Sequence, residues 1–263
     1  PRGRDGGRRR RRGMCIRDRS RAMLSGGTEE QKSHWLPQIA AGSKLCGIAI
    51  TEPDYGSDVA GLSLKAARTE GGWLLNGAKT WCTFAGKAEV LFVIARTELD
   101  KSLGHKGLSA LLVEKSSTED HEFTVEQAQG GRLIGKAIPT IGYRGMHSYD
   151  LAFEDYFVPD GNLIGGKEGL GKGFYLAREG LTGGRIQTEA RAAGGAVAGI
   201  KAIQCGEVHP NINLEDPEDD VELGLLVGDT SEKLAVDVAL SNSFGFGGHN
   251  SAVLFGKYVP TVE

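Results

Sequence analysis

The chain reads as an α+β, mainly β protein, with an antiparallel β-barrel flanked by helices. Three observations predict this. From Leu45 to Phe157, apolar segments of strand length recur about every ten residues between turn-forming stretches, the spacing of a barrel or sandwich rather than of strands joined by crossover helices. Alternation at Leu62, Leu64, Ala66 and Leu74 gives the two-residue period of a half-buried strand. Helical patterning is confined to the two sides of this region.

The elements follow in order. Thr28 is an N-cap with Gln31 three residues on, and Trp35, Leu36 and Ile39 form one apolar face, which predicts a helix over Thr28–Ala41 ended by Gly42. Strands are expected at Leu45–Thr51, Leu62–Thr69, Trp73–Leu75, Lys79–Thr83, Val90–Arg96, Leu108–Glu114, Phe123–Glu126 and Tyr149–Phe157. Asn76-Gly77 between two short apolar runs predicts a type I′ hairpin, because that turn needs positive φ at both central residues. A second helical region is expected from Lys172 to Ile203, with Gly169–Gly173 as its entry.

With 263 residues and 40% apolar content the chain can bury a sizeable core. Its longest apolar run, Val90–Ala95, is too short to span a bilayer, and no basic-apolar-small leader is legible, so neither membrane insertion nor secretion is expected. Cys15, Cys46, Cys82 and Cys205 lie far apart without a CxxC pair, which argues against a zinc ribbon or disulfide framework; no metal is expected, and cytoplasmic localisation is. The net charge of −3 conceals an arm in which Arg2, Arg4, Arg8 to Arg12, Arg17, Arg19 and Arg21 crowd the first 21 residues. A cluster of that kind can bind nucleic acid or anionic membrane. With almost no apolar residues and no interleaved aromatics, it reads better as a disordered, non-native leader with no nucleic-acid partner.

The densest cluster of chemically useful side chains is Ile48-Ala49-Ile50-Thr51-Glu52-Pro53-Asp54-Tyr55-Gly56-Ser57-Asp58, where a strand runs into a sharp loop. Thr51 and Ser57 offer hydroxyls, Gly56 permits close approach to the backbone and Pro53 fixes the turn, so the loop suits a polar heteroaromatic ring. An ordinary Gly/Pro/Asp turn fits equally well.

Asn76-Gly77-Ala78-Lys79-Thr80-Trp81-Cys82-Thr83 follows, and together the two segments resemble the acyl-CoA dehydrogenases, whose middle domains read TEPxxGSD and then NGxKxWxT. The resemblance continues through Ile141–Met146 and Phe153–Pro159 and covers about 22–193. It implies an FAD enzyme that removes the α-proton and β-hydride of an acyl-CoA thioester, usually as a homo-oligomer that passes electrons to a separate acceptor. Ile48, Ile50, Thr51, Gly56 and Ser57 would then line the flavin and the thioester end of the substrate. Trp81 would cover the isoalloxazine face and Thr83 would bond its reducible edge, an indole being a large rigid stacking surface. Trp81 alone would also suit a core position. Arg185 stands where the family has an arginine that supports the catalytic carboxylate and the CoA, while Thr182 departs from the acidic or amide residue common there. Glu189, Glu207 and Glu215 do not sit in the context of the family's catalytic glutamate, so no catalytic residue is assigned and the chain is expected to be inactive alone.

From Gly194 the pattern changes. Ile200–Asn213, with His209-Pro210-Asn211-Ile212-Asn213, and Asn242-Ser243-Phe244-Gly245-Phe246-Gly247-Gly248-His249-Asn250 before a last strand Ser251–Tyr258 resemble the C-terminal end of β-ketoacyl-ACP synthases. The resemblance implies a truncated thiolase-like fragment without its nucleophile or catalytic histidines, Phe246 matching the acyl-gating phenylalanine. The expected organisation is a leader at 1–21, the end of a helical domain at 22–44, the β-barrel at 45–160, the start of a second helical domain at 161–193 and the synthase-like fragment at 194–263. The readings to be weighed are a flavin dehydrogenase fragment, a condensing-enzyme fragment and a non-functional fusion of the two.

Overall fold

The computed structural model describes residues 20–140, 147–208, 230–244 and 250–257, without the side chains of 183–191, 243–244 and 250–251. The basic arm through residue 19, the segments 141–146 and 209–229, and the loop carrying Phe246 and His249 lie outside the described residues. The chain divides into two compact units, 1–184 and 185–263.

The first unit opens with helical residues 20–26 and helix α1 (Glu29–Ala41). The capping box read from the sequence is present: Gln31 N donates to Thr28 Oγ1 (3.2 Å) and Thr28 N to Gln31 Oε1 (3.0 Å), and Gly42 closes the helix in the left-handed conformation. Such a cap stabilises a helix by about 1 kcal/mol. Gln31 also reaches across the fold. Its amide donates to Gly161 O (2.8 Å) and Leu163 O (2.7 Å), and its carbonyl accepts from Gly165 N (3.0 Å), so one side chain ties α1 to the chain leaving the sheet.

The sheet has eight strands: β1 (Cys46–Ala49), β2 (Lys65–Thr69), β3 (Gly72–Thr83), β4 (Val90–Arg96), β5 (Leu108–Glu114), β6 (Glu122–Glu126), β7 (Arg132–Ala137) and β8 (Ser148–Pro159). Their order is β1-β4-β2-β3-β8-β7-β6, with β5 on β4. Two expectations are corrected here. The ladders are not all antiparallel, because β1 runs parallel to β4, and β2 meets β4 at one parallel contact. A long loop rather than a hairpin leaves β1, so nothing forces its neighbour to reverse. The barrel also stays open, since among the described residues no ladder joins β6 to β1 or β5.

Strand β4 shows where the core sits, being buried along its whole length. Leu91, Val93 and Ala95 face a cluster with Leu64, Leu75, Leu111, Leu133, Leu151 and Phe153 inside the sheet's curl. Val90, Phe92 and Ile94 face a second cluster with Trp35 and Ile39 of α1, Leu108, Ala110 and Leu112 of β5, and Leu176 and Ala177 of helix α2 (Gly173–Cys205). Each fully buried side chain of this size contributes about 1.5–3 kcal/mol of transfer free energy. The period of two thus serves two layers at once, which is why β4 reads as a continuous apolar run.

The Asn76-Gly77 hairpin is not formed. β3 runs unbroken through both residues, and the β2–β3 turn falls at Glu70-Gly71, where Gly71 has φ of 72°. Asn76 instead marks a bulge against β8: its side chain donates to Asp155 Oδ1 (2.8 Å) and accepts from Asp155 N (3.0 Å) where the register shifts. Strand β7 was not expected from the sequence. Gly135 interrupts its apolar pattern, and a Cβ there would meet the Phe123 ring at 2.2 Å.

The second unit holds the remainder of α2 and two antiparallel pairs, β9 (Glu207–Val208) with β10 (Glu232–Lys233) and β11 (Val238–Phe244) with β12 (Asn250–Gly256). Val238, Leu240 and Leu254 share one face of the second pair, and all are exposed. Two strands supply no further neighbours to cover such a face.

Candidate functional site

The site is built where the loop after β1 folds back on β3. Its turn is closed by paired backbone bonds between Glu52 and Tyr55, both 3.1 Å, and Asp58 caps the short helical turn Val59–Gly61. A buried ion pair holds the loop down. Lys79 Nζ donates to Glu52 Oε1 (2.8 Å) and to Ile50 O (2.8 Å), while the Glu52 carboxylate also accepts from Ser63 N (2.7 Å), Ser63 Oγ (2.8 Å) and Leu64 N (2.9 Å). Burial pushes the Lys79 pKa below its ordinary value, with Glu52 opposing. For Glu52, burial works to raise the pKa, but Lys79 and the Leu64 and Ser63 amides outweigh it and hold the carboxyl below its usual range.

This clamp brings two of the expected segments together. Thr80 N donates to Thr51 O (2.9 Å), placing the loop strand alongside the residue before Trp81. Between Lys79↔Leu151 and Cys82↔Tyr149, the residues Thr80 and Trp81 stand opposite Asp150 alone, so β3 bulges. Trp81 takes φ of 56° and is 40% exposed. Left-handed backbone costs a non-glycine residue on the order of 1–3 kcal/mol and persists only where its surroundings impose it. Here the bulge turns the indole out of the core, and the core reading of Trp81 is set aside. Thr80 donates to the Asp150 carboxylate on the other side of the bulge.

The remaining expected residues divide. Thr83 is half-buried, with Oγ1 2.9 Å from Ser148 Oγ. Gly56 and Ser57 are exposed on the loop and Thr51 is half-buried. Ile50 is a core side chain and Ile48 packs partly buried against the same cluster, so at these positions the backbone, not the side chain, is set beside the site. Arg185 lies on α2, with its side chain outside the described residues. Sequence reasoning missed Glu52 and Lys79 as determinants of the loop's position. A lysine inside an amphipathic strand and a glutamate in a turn each look solvent-facing until the partner is known.

Chemically, the arrangement presents an outward aromatic face, flanking hydroxyls and a pinned backbone. Those features fit a planar polar ring, since the bulge positions the indole and the hydroxyls can bond a ring's edge. Cys82 is no nucleophile, for burial pushes its thiol up to about 12. Among the described residues no group of three or more His, Cys, Asp or Glu could hold a metal ion, and no helix is long and apolar enough to cross a membrane.

Comparison with known proteins places this geometry. Residues 47–156 match the family model described as acyl-CoA dehydrogenase, middle domain. The chain is 39% identical over 173 residues to (2S)-methylsuccinyl-CoA dehydrogenase of Cereibacter sphaeroides, covering 65% of this chain and 30% of that protein. It is 40% identical over 178 residues to the mitochondrial isobutyryl-CoA dehydrogenase of Dictyostelium discoideum, covering 68% and 39%. The solved butyryl-CoA dehydrogenase of Megasphaera elsdenii superposes with a TM-score of 0.59 at 28% identity, covering 79% of this chain and 48% of that one. This chain therefore spans less than half the length of each of these relatives, and the β-sheet with its loop and Trp81 is similar to the middle domain of acyl-CoA dehydrogenases in sequence pattern and in fold.

Proposed function

We propose that residues 45–160 form one wall of a flavin and acyl-thioester site, with FAD as the cofactor and an acyl-CoA as the substrate. The observation that carries this reading is the outward-turned Trp81, held in left-handed backbone by a bulge beside the Thr51 loop. FAD, when bound, supplies the acceptor for the substrate's hydride. Trp81 then covers one face of the ring system, Thr83 and Thr51 bond its edge, and Gly56 and Ser57 meet the thioester end of the substrate. Arg185 is assigned to the CoA side by its place in the sequence pattern. Electron transfer to a separate acceptor and assembly of several subunits are the corresponding partner proposals.

Removing a proton α to a thioester needs an aligned base. Three carboxylates of the sheet unit are otherwise engaged: Glu52 by Lys79, Asp150 by Thr80 and Glu154 by Arg132. Glu207, in the second unit, accepts from Ser231. Among the described residues we therefore assign a binding wall and no catalytic base.

For 194–263 the proposal is a segment like the C-terminal end of β-ketoacyl-ACP synthases, joined to the dehydrogenase-like part without a function of its own. Its support is the antiparallel pair β11–β12 bracketing the glycine-rich loop. Domain limits at 22–44, 45–160, 161–193 and 194–263 belong to the same proposal.

The experiment is an FAD titration read by tryptophan fluorescence in a chain whose Trp35 and Trp73 are replaced by Phe. Saturable quenching of the remaining Trp81 emission, relieved when Thr51 and Thr83 are both changed to Val, is the expected result. Quenching no stronger than that of free indole would withdraw the flavin wall.

A further inference from the structure

Outside this wall, two histidines are set face to edge by the sheet. His121 precedes β6 and His147 precedes β8, with β7 between those strands. The backbone holds both residues to the frame. Ala137 N donates to His121 O (2.6 Å), Phe84 N donates to His147 O (2.9 Å), and Ile138 N donates to Ser148 O (2.8 Å). Their ring centroids are 4.4 Å apart with planes inclined at 65°, and the two Nε2 atoms lie 3.2 Å from each other.

Two imidazole nitrogens at that distance can share a proton or share a metal ion. Zinc–imidazole bonds are about 2.0–2.1 Å long, and two of them spanning this gap subtend an angle of about 100°, close to tetrahedral. We propose that His121 and His147 form a two-imidazole clamp for a borderline divalent transition metal of the Zn²⁺, Ni²⁺ or Cu²⁺ class. Neutral imidazole is the ligand those ions favour, whereas Mg²⁺ and Ca²⁺ require oxygen donors, so the clamp selects against the abundant hard cations.

The surroundings suit a dication. Glu119, Asp120 and Glu122 flank His121. Glu119 pairs with Lys87 (3.1 Å) and Glu122 with Lys136 (2.9 Å), while the Asp120 carboxylate accepts only a neutral hydroxyl, that of Thr118, among its described bonds. Two protein ligands leave two tetrahedral positions for water or a small anion, so the site is open and exchangeable rather than a structural zinc centre. Acid opposes binding, because protons compete for the same lone pairs. An ion there would staple the start of β8 to the start of β6, one residue from Ser148, the partner of Thr83.

Isothermal titration of the full chain with ZnCl2, in a background with Cys15 and Cys205 changed to Ser to remove competing thiols, tests this. One ion per chain is expected, with His121→Gln and His147→Gln each weakening binding by at least about tenfold, equivalent to 1.4 kcal/mol. The double variant should show no saturable event, and MgCl2 should give none in any form. Failure of the parent chain to bind, or binding unchanged in both single variants, means that the rings only share a proton and overturns the proposal. If a substitution disturbs folding, histidine resonances of the parent during the zinc titration decide instead: His121 and His147 should move, and movement confined to His34, His105, His209 or His249 would count equally against the clamp.

Discussion

Lys79 and Glu52 meet at 2.8 Å with both side chains withdrawn from solvent, 0% and 3% exposed, and this contact fixes the loop on which half of the proposed wall stands. Replacing Lys79 by Met leaves a buried carboxylate without its cation. The loss of stability should be about 3–5 kcal/mol, as for other buried pairs broken on one side. Adding Glu52→Gln to Lys79→Met should recover part of it, since the uncompensated charge is then gone. Denaturant unfolding of the wild type, both single variants and the double variant measures the coupling directly. A Lys79→Met chain as stable as the parent would mean that the pair does not hold the loop.

The same pair has a signed pH dependence. The Glu52 carboxyl is lower in pKa when folded, so its contribution is present above the ordinary unfolded value of 4.5 and is lost as pH falls through the folded value. Glu52→Gln should flatten that part of the acid limb of the stability curve. An unchanged slope between the variant and the parent would contradict the assignment.

Lys115 gives the same sign in the alkaline range. Burial pushes its pKa down to about 8, and its ammonium donates to Gly86 O and Ser116 O (both 2.8 Å) over the Phe123 ring, 4.7 Å from the centroid. Between pH 8 and 10.5 the unfolded chain holds the proton more tightly than the folded one, so the parent should gain stability relative to Lys115→Met as pH rises through this window. The gain is at most about 3 kcal/mol, the nearby Glu89 charge already opposing the effect of burial. Thermal unfolding of both proteins across the window reads the sign.

Cysteine reactivity should separate by position. Cys46 and Cys82 are buried and Cys205 is exposed. A thiol reagent should modify Cys205 in the native chain within the mixing phase and reach Cys46 and Cys82 only on unfolding, which mass analysis of labelled peptides distinguishes. Rapid native labelling of Cys82 would show that the Trp81 bulge opens to solvent.

Much of this was legible before the structure. The N-cap pair Thr28 and Gln31, the glycine stop at Gly42, and the limits of β4 and β5 follow from local chemistry, because each depends on residues close in sequence. The misreadings depend on partners far away. Asn76-Gly77 has the composition of a tight turn, yet Asp155 on β8 engages the Asn76 side chain and the strand continues. Gly135 hides β7 because the Phe123 ring that fills its missing side chain belongs to another strand. In the proposed site, Thr51, Trp81 and Thr83 are assigned from their motif, whereas the Glu52–Lys79 clamp and the bulge that exposes Trp81 are products of cross-strand register, which a single sequence does not display.

The central claim is that the chain carries a flavin-facing wall without an aligned base among its described residues. Its most direct test is the visible absorbance of the purified chain saturated with FAD, followed anaerobically while acyl-CoAs of several lengths are added. The account predicts weak binding that perturbs the flavin bands in a Trp81-dependent way, and no loss of the oxidised spectrum on adding any acyl-CoA. Stoichiometric, tightly held FAD that bleaches with substrate would contradict it, because a positioned base would then have to act within this chain.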